Sequence, residues 1–536
     1  MDRETNIDSI LALDAEIIRL KRTQNSLLNI ARVPPEILGH IFHLNVIPEA
    51  TDNYLFELQE GSHNFLLVCH HWFRVARNTT ELWTFWGDKL EDWKRRYPLS
   101  GASAPVDLVL DGVQHEVGPF DETLRDVLRD RAARDVIRRV HIKCPSEDHI
   151  TAAAIISSLT PADEGIQHSS IESIALDGMD VSNFFSHHHF PKLRNLSLSD
   201  DFKMSCWDHL KSYTTALAYL ALSFNDTAPP SIIPTASQVL SLLASNPNIE
   251  DLVLLWLMIS DDSRNSSTSL VPLCHLEHFV FVGYFHHVFP ILRRLELPEG
   301  LGNAELGFHK CTLKEAYETI RPYIRDYLQR DPRFKYRLGV STSISTGSFL
   351  LRACVINAGH HGLQGMSPRG PPYVTFQVRL LETSRKDLEK LCTDTLALLP
   401  RESVVALEVD LMEIEEVVVT MPNLESLSLV GTWVYDGILL PNPDGPNAQK
   451  KLFPSLQRLY LKSVSAVGGN WDPLIAYLAH QTSDGQTVSL NMFGNGVHVC
   501  SEVVKQIEDL VEEFVYIPDP NQGCPFDSCL GGGAVV

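Results

Sequence analysis

The sequence has no long apolar run. Its longest, LVLLWLMI from Leu252 to Ile259, is less than half of the roughly 20 residues a helix needs to cross a bilayer, so no membrane span is expected. The first ten residues, MDRETNIDSI, lack the basic-then-apolar order of a secretory signal, so the chain is expected inside the cell, in cytoplasm or nucleus. Basic residues are in deficit, with 45 Lys and Arg against 67 Asp and Glu and a formal charge of −22. That balance argues against nucleic acid as the principal ligand, because phosphate contacts need concentrated Lys and Arg. The ten cysteines include no Cys-x-x-Cys pair, so they read as reduced, buried thiols rather than a disulfide framework or a zinc site. Cys524 and Cys529 are the closest two, in a Gly- and Pro-rich tail unsuited to a structural metal.

Catalytic signatures are missing as well. There is no phosphate-binding Gly-x-x-x-x-Gly-Lys loop, no His-Glu-x-x-His helix, no Gly-x-Ser-x-Gly elbow and no dinucleotide fingerprint. His187, His188 and His189 form an imidazole run, but consecutive histidines in a loop read as exposed rather than metal-bound. The loop around His360, GHHGLQGMSPRGPP, organises no reaction. No enzyme activity, cofactor or metal is expected.

What the sequence has is pattern. With 44% apolar and 21% charged residues it has the composition of a globular protein. Residues 7 to 30 carry Ile7, Ile10, Leu11, Ile17 and Ile18 in a helical rhythm. This amphipathic helix is expected to pack on its own neighbour, with a coiled-coil dimer as the alternative. VPPEILGHIF follows at 33 to 42. Two prolines suit the first turn of a helix, where their missing N–H groups have no partner anyway, and Ile37, Leu38, Ile41 and Phe42 then recur at helical spacing. Residues 48 to 64 read as a loop or insertion. A second amphipathic helix is expected through Phe65, Val68, Cys69, Trp72, Phe73 and Ala76, followed by Leu82, Trp83 and Trp86 and a stop at Pro98. His70 and His71, adjacent on that helix, cannot share a face and read as solvated.

These residues carry a resemblance. Val33-Pro34-Pro35-Glu36-Ile37-Leu38, then Ile41-Phe42, Val68-Cys69, Trp72 and Leu82-Trp83, resemble the F-box pattern, and the preceding helix is similar to that of the fungal F-box-like family. The resemblance covers about residues 1 to 95. It departs at Val33, where Leu is usual, and in the length of the loop before Phe65. It implies a trihelical module that docks on the Skp-family adaptor of a cullin-based ubiquitin ligase, with Val33, Pro34, Pro35, Ile37, Leu38, Ile41 and Phe42 as docking positions. Val68, Cys69, Trp72, Leu82 and Trp83 would form the module's own core.

Beyond residue 100 one form repeats: FPKLRNLSL at 190, NPNIEDLVL at 246, FPILRRLEL at 289, MPNLESLSL at 421 and FPSLQRLYL at 453, with looser copies at 136, 170, 215, 275 and 404. Marked by the middle apolar residue, the copies are Val140, Ile174, Leu196, Leu220, Leu252, Phe279, Leu295, Leu407, Leu427 and Leu459. They lie 16 to 34 residues apart, save for one gap of 112, near the leucine-rich-repeat range but irregular. In such a unit Leu-x-Leu points to one face of a short strand and the earlier Leu packs from the turn before it. ASQVLSLLASNP and WDPLIAYLAH read as intervening helices. The Asn expected after each strand is present at Asn225 and missing from most copies. The long gap holds either degenerate units or an insertion, including a strand YVTFQVRLLE.

The expected organisation is therefore an α/β chain: a helix at 1–30, an F-box-like module at 31–98, a divergent leucine-rich-repeat-like α/β solenoid at 99–517 and a disordered tail at 518–536. The expected function is a substrate-recognition adaptor of an SCF-type ubiquitin ligase, binding a Skp-family adaptor at one end and a target protein at the other. The alternative is a non-catalytic repeat scaffold that recruits no ligase.

Overall fold

A computed structural model describes residues 2–27, 32–46, 68–86, 104–111, 130–143, 170–178, 190–199, 216–224, 233–260, 269–298, 303–312, 335–343, 348–356, 373–380, 401–411, 421–430, 453–462, 471–483, 485–493 and 501–517, with isolated positions between. Residues 48–64, His187 to His189, Asn225, the loop around His360 and the tail with Cys524 and Cys529 lie outside the described residues. The chain is α/β, with sheets built mainly of parallel strands, and divides into two compact units, Met1–Ile233 and Pro234–Val536. Residue 98, expected as a module boundary, falls inside the first unit.

The first unit opens with helix α1, Asp2–Ser26. Ala12 to Gln24 of this helix are exposed, so no neighbour covers Ile17 and Ile18, while the side chains of Ile7, Ile10 and Leu11 lie outside the described residues. Helix α2, Pro35–Val46, begins at the second proline, and the N–H of Leu38 closes the first turn on the carbonyl of Pro34 at 3.0 Å. Helix α3, His70–Asn78, and a 3-10 turn, Thr80–Trp83, follow. Leu38, Phe42, Val75, Ala76, Leu82 and Trp83 make one small core, with Val33 and Trp72 packed at its edge. Gly39 permits the close approach, since a Cβ there would stand 2.9 Å from Oγ1 of Thr79.

Immediately after that core the chain enters a sheet. β1, Phe85–Trp86, pairs in parallel with β2, Val106–Asp111. Parallel pairing then continues through β3, Ile137–Lys143; β4, Ser173–Asp177; β5, Asn195–Ser199; and β6, Tyr219–Ser223. Leu108, Val140, Ile174, Leu196 and Leu220 are successive register partners, and all are buried.

The second unit contains β7, Asp251–Leu255; β8, Val271–Pro272; β9, His278–Tyr284; β10, Leu295–Glu296; β11, Asn303–Cys311; β12, Lys335–Ser343; β13, Ser348–Ile356; β14, Tyr373–Leu380; and β15, Val404–Leu411. β16, Ser426–Val430; β17, Arg458–Lys462; β18, Ser489–Phe493; and β19, Glu513–Ile517 complete it. In space the order is β7, β9, β11, β14, β13, β12, β15, β16, β17, β18, β19. All these pairings are parallel except the two that β13 makes. The 112-residue gap thus holds both things: β11 is a further parallel strand, and β12, β13 and β14 are an antiparallel meander laid into the array in reverse order.

A local unit recurs. A buried residue opens a turn, a second buried residue three positions later donates its N–H back to it, and the strand mark follows after three more. Phe190, Leu193 and Leu196 take these places, as do Leu273, Leu276 and Phe279; Met421, Leu424 and Leu427; and Phe453, Leu456 and Leu459, with N–H···O distances of 3.1 to 3.3 Å. Asn246, Ile249 and Leu252 are another set. There the opening residue is polar and buried, and its amide is satisfied by the carbonyl of Leu242 at the end of the preceding helix, 2.9 Å away. That helix, Ala236–Ala244, starts with a capping box between Thr235 and Gln238.

One copy read from the sequence is corrected. Phe289 and Leu292 lie in a helix, Phe285–Leu292, and Leu295 pairs only with Val271 in a separate two-stranded sheet. The true unit uses Pro298, Leu301 and Ala304, which is the register partner of Phe279. The other nine marks all lie in strands of the parallel array. Among the described residues no helix is long and apolar enough to cross a membrane.

Candidate functional site

Helix α2 presents two apolar faces. Leu38 and Phe42, 0% and 1% exposed, point into the module core, while Ile37, Ile41 and Leu44 are 54%, 40% and 61% exposed. Positions 37, 41 and 44 follow the i, i+4, i+7 spacing of a single stripe, displaced by about 100° from the stripe of 38 and 42. The seven residues expected to dock therefore separate. Pro34 and Pro35 are exposed beside the outer stripe, Val33 is half-buried against the core, and Leu38 and Phe42 belong to the core rather than to the outer surface.

The five residues expected to form the core separate too. Leu82 and Trp83 are buried, and the indole N–H of Trp83 donates to the carbonyl of Ala76 at 2.9 Å. Trp72 is half-buried with its ring 5.1 Å from that of Phe42. Cys69, half-buried, precedes α3, and its carbonyl accepts the N–H of Phe73 at 3.0 Å. Val68 is not core. It is exposed, as is Phe73, because helix α3 begins only at His70 and turns Val75 and Ala76 inward instead. His70 is exposed and His71 half-buried. Leu44 and Phe73 were not among the docking positions expected from the sequence. The signal was there in the helical spacing, which places Leu44 one turn beyond Ile41.

The second unit holds a cluster that the repeat pattern alone did not single out. Trp256 follows β7, Tyr284 ends β9 and His309 and Lys310 end β11, three neighbours in one parallel sheet. The rings of Trp256 and His309 are 4.5 Å apart, those of Trp256 and Tyr284 5.9 Å, and the exposed ammonium of Lys310 stands 4.3 Å over the Tyr284 ring, a cation–π geometry. Trp256 and Lys310 both have φ of 53°, left-handed backbone that costs a residue with a Cβ about 1–2 kcal/mol. At Lys310 the cause is a bulge, where the β11–β14 register shifts between His309 and Cys311. Strain of this kind gathers at ligand sites, and crevices beyond the carboxyl ends of parallel strands are where α/β sheets bind. The sheet face below mixes apolar and polar groups: Val253, Leu255, Val280 and Val282 are half-buried beside Glu305, the register partner of Val280, and His278 lies 3.9 Å from Asp251; a Cβ on Gly307 would lie 2.9 Å from the Val282 methyls.

Two titratable groups near this end of the sheet are shifted from their ordinary values. His287, beside the cluster, is pushed down to about 4 by burial and by neighbouring His286. Its Nδ1 accepts the N–H of Ile259 at 3.2 Å, which leaves the proton of the neutral ring on Nε2. The Cys311 thiol is pushed up to about 12 by burial and by Glu315, so it carries no nucleophilic thiolate at neutral pH. Among the described residues no group of three or more His, Cys, Asp and Glu is placed to hold a metal.

The first unit carries two ion pairs at its sheet. Arg139 lies 3.6 Å from Asp107, and Arg138 3.9 Å from Glu172. Burial raises the Asp107 carboxyl despite those two arginines. Set against models of known families the chain has no match, and a comparison with curated proteins finds none.

Proposed function

We propose that the chain is a substrate-recognition adaptor of a cullin-based, SCF-type ubiquitin ligase: an F-box-like module holds a Skp-family adaptor, and a divergent leucine-rich-repeat-like solenoid holds a target protein. The observation that carries this reading is the outer stripe of α2. Ile37 and Leu44, 54% and 61% exposed, and Ile41, 40% exposed, lie on a helix whose own core is filled by Leu38 and Phe42, so the stripe keeps apolar surface open for a partner to cover. Covering the exposed part of each side chain would contribute about 1 kcal/mol, within the helix-in-groove mode of recognition. The F-box resemblance of residues 33 to 83 supplies the identity of that partner.

The chain itself makes and breaks no bond in this reading. It raises the effective concentration of a target near a ubiquitin donor carried by other subunits, in cytoplasm or nucleus. The target-facing element is the group formed by Trp256, Tyr284, His309 and Lys310, whose aromatic faces and single ammonium suit an extended peptide with an apolar and an acidic side chain. Only Thr84 separates the 3-10 turn of the module core from β1, so the module leads directly into the sheet of the first unit.

The test is capture of a purified Skp-family adaptor by the full-length chain. Ile37→Asp should weaken binding by on the order of a hundredfold, with thermal unfolding unchanged. Equal binding by Ile37→Asp overturns the reading, and no binding by the unmodified chain leaves the non-catalytic repeat scaffold.

A further inference from the structure

Helix α1 is 25 residues long, about 37 Å at 1.5 Å per residue, and its large aliphatic residues from Leu13 to Leu20 are open to solvent. Leu13, Ile17 and Leu20 are 64%, 48% and 54% exposed, and Leu27, in the turn just after the helix, is 71% exposed. Their spacing is 4, 3 and 7, which sets Leu13, Leu20 and Leu27 at the d positions of a heptad and Ile17 and Gln24 at the a positions. We infer that α1 pairs with α1 of a second copy of this chain as a parallel, in-register, two-stranded coiled coil.

Three features commit the seam to a second copy. A β-branched residue at a with Leu at d favours two parallel strands, and a polar side chain at one a position fixes register at some cost in stability; Gln24 supplies it, since two facing amides can bond to each other. The charges agree. With Ile17 at a, Glu16 takes g and Lys21 takes the following e, the two positions that face each other across a parallel dimer. Within one helix Glu16 already bonds Arg19 through both carboxylate oxygens at 2.7 Å, which holds its carboxyl below the usual range and keeps it charged for Lys21 of the other copy. Most helical stability in proteins comes from packing an apolar face, and pairing supplies burial for this one. The result is a bivalent molecule, independent of what either copy binds.

Sedimentation of the full-length chain over a range of concentrations tests this. A reversible dimer is expected, and Ile17→Asp should leave only monomer with thermal unfolding unchanged, because the residue is exposed in the single chain. Glu16→Lys and Lys21→Glu should each weaken the dimer about tenfold, two attractive pairs having become repulsive. Mixing those two variants should restore it, since every g–e′ pair is then of opposite sign. A chain that stays monomeric throughout, a dimer indifferent to Ile17→Asp, or a mixture no tighter than either charge variant alone overturns the inference.

Discussion

The helical module and the strand array use the same side chains to opposite ends. In β5, Leu196 and Leu198 are sealed, and the residues between and beside them are polar or half-exposed. In α2, Leu38 and Phe42 are sealed while Ile37, Ile41 and Leu44 stand out in water. The difference comes from geometry. A strand sends alternate residues to two faces, so a Leu-x-Leu mark has one destination. A helix turns 100° per residue, so a run of apolar residues at i, i+1, i+4 and i+5 spans more surface than one small core can cover. On the array the apolar residues left over sit singly between the marks, as Val253 and Val280 do, whereas on the module they form a second, independent face.

The sharpest way to break that comparison is to remove a residue from each face of α2 in turn. Phe42→Ala should cost about 3–5 kcal/mol of module stability, the transfer term plus the cavity left against Trp72 and Val75. Ile37→Ala, one turn away on the outer face, should stay within about 0.5 kcal/mol. Urea unfolding followed by the fluorescence of Trp72 and Trp83 measures both. Equal losses would mean that the two faces share one core.

The array was legible where its turn and its strand agreed. Phe190, Met421 and Phe453 each open a turn, and the apolar residues three and six positions on are large, so spacing alone identifies them. The pattern misled at Phe289, Leu292 and Leu295, because i, i+3, i+6 is also the rhythm of one helix face, and Phe285–Leu292 is a helix. It missed the unit at Pro298, Leu301 and Ala304 because the mark is a methyl group. It also could not order the meander, since β12 joins β15 across 60 residues of chain that include β13 and β14, and no local signal reports such a pairing. In the module, spacing marked Leu38, Phe42, Leu82 and Trp83 as apolar positions but not which way each side chain would face. Separating Ile37 from Leu38 takes the position of α3, which begins five residues later than the apolar pattern from Phe65 suggests.

A second contrast lies within the array, between the ion pairs at the sheet of the first unit and the aromatic and imidazole group of the second. It should respond to pH through His287. Its folded value of about 4 lies below the ordinary histidine value of 6.5, so between pH 6.5 and 4 the unfolded chain binds a proton that the folded chain refuses. Stability should therefore fall as the pH drops through that window and be flat above it, as far as this group is concerned. Comparing the urea midpoint of the chain with that of His287→Gln at pH 7 and pH 5 isolates the effect. A difference between the two proteins that is the same at both pH values would show that the imidazole titrates normally.

The smallest effect on stability should belong to the residue that the cluster holds in the least comfortable backbone. Lys310, at φ 53°, gives up about 1–2 kcal/mol to the left-handed region, and Lys310→Gly would recover that strain. The same change frees the unfolded chain, which costs about 0.4–1 kcal/mol, and removes the ammonium from the Tyr284 ring, which costs about 0.5–1 kcal/mol at an exposed site. The terms nearly cancel, so unfolding should move by less than about 0.5 kcal/mol. Capture of an acidic, aromatic peptide should instead fall severalfold, because the charge that would meet the carboxylate is gone. Lys310→Arg keeps the charge and the strain and should retain binding. If Lys310→Gly binds as well as the unmodified chain, the strained bulge serves only to end β11, and the aromatic group loses its claim to be the target-facing surface.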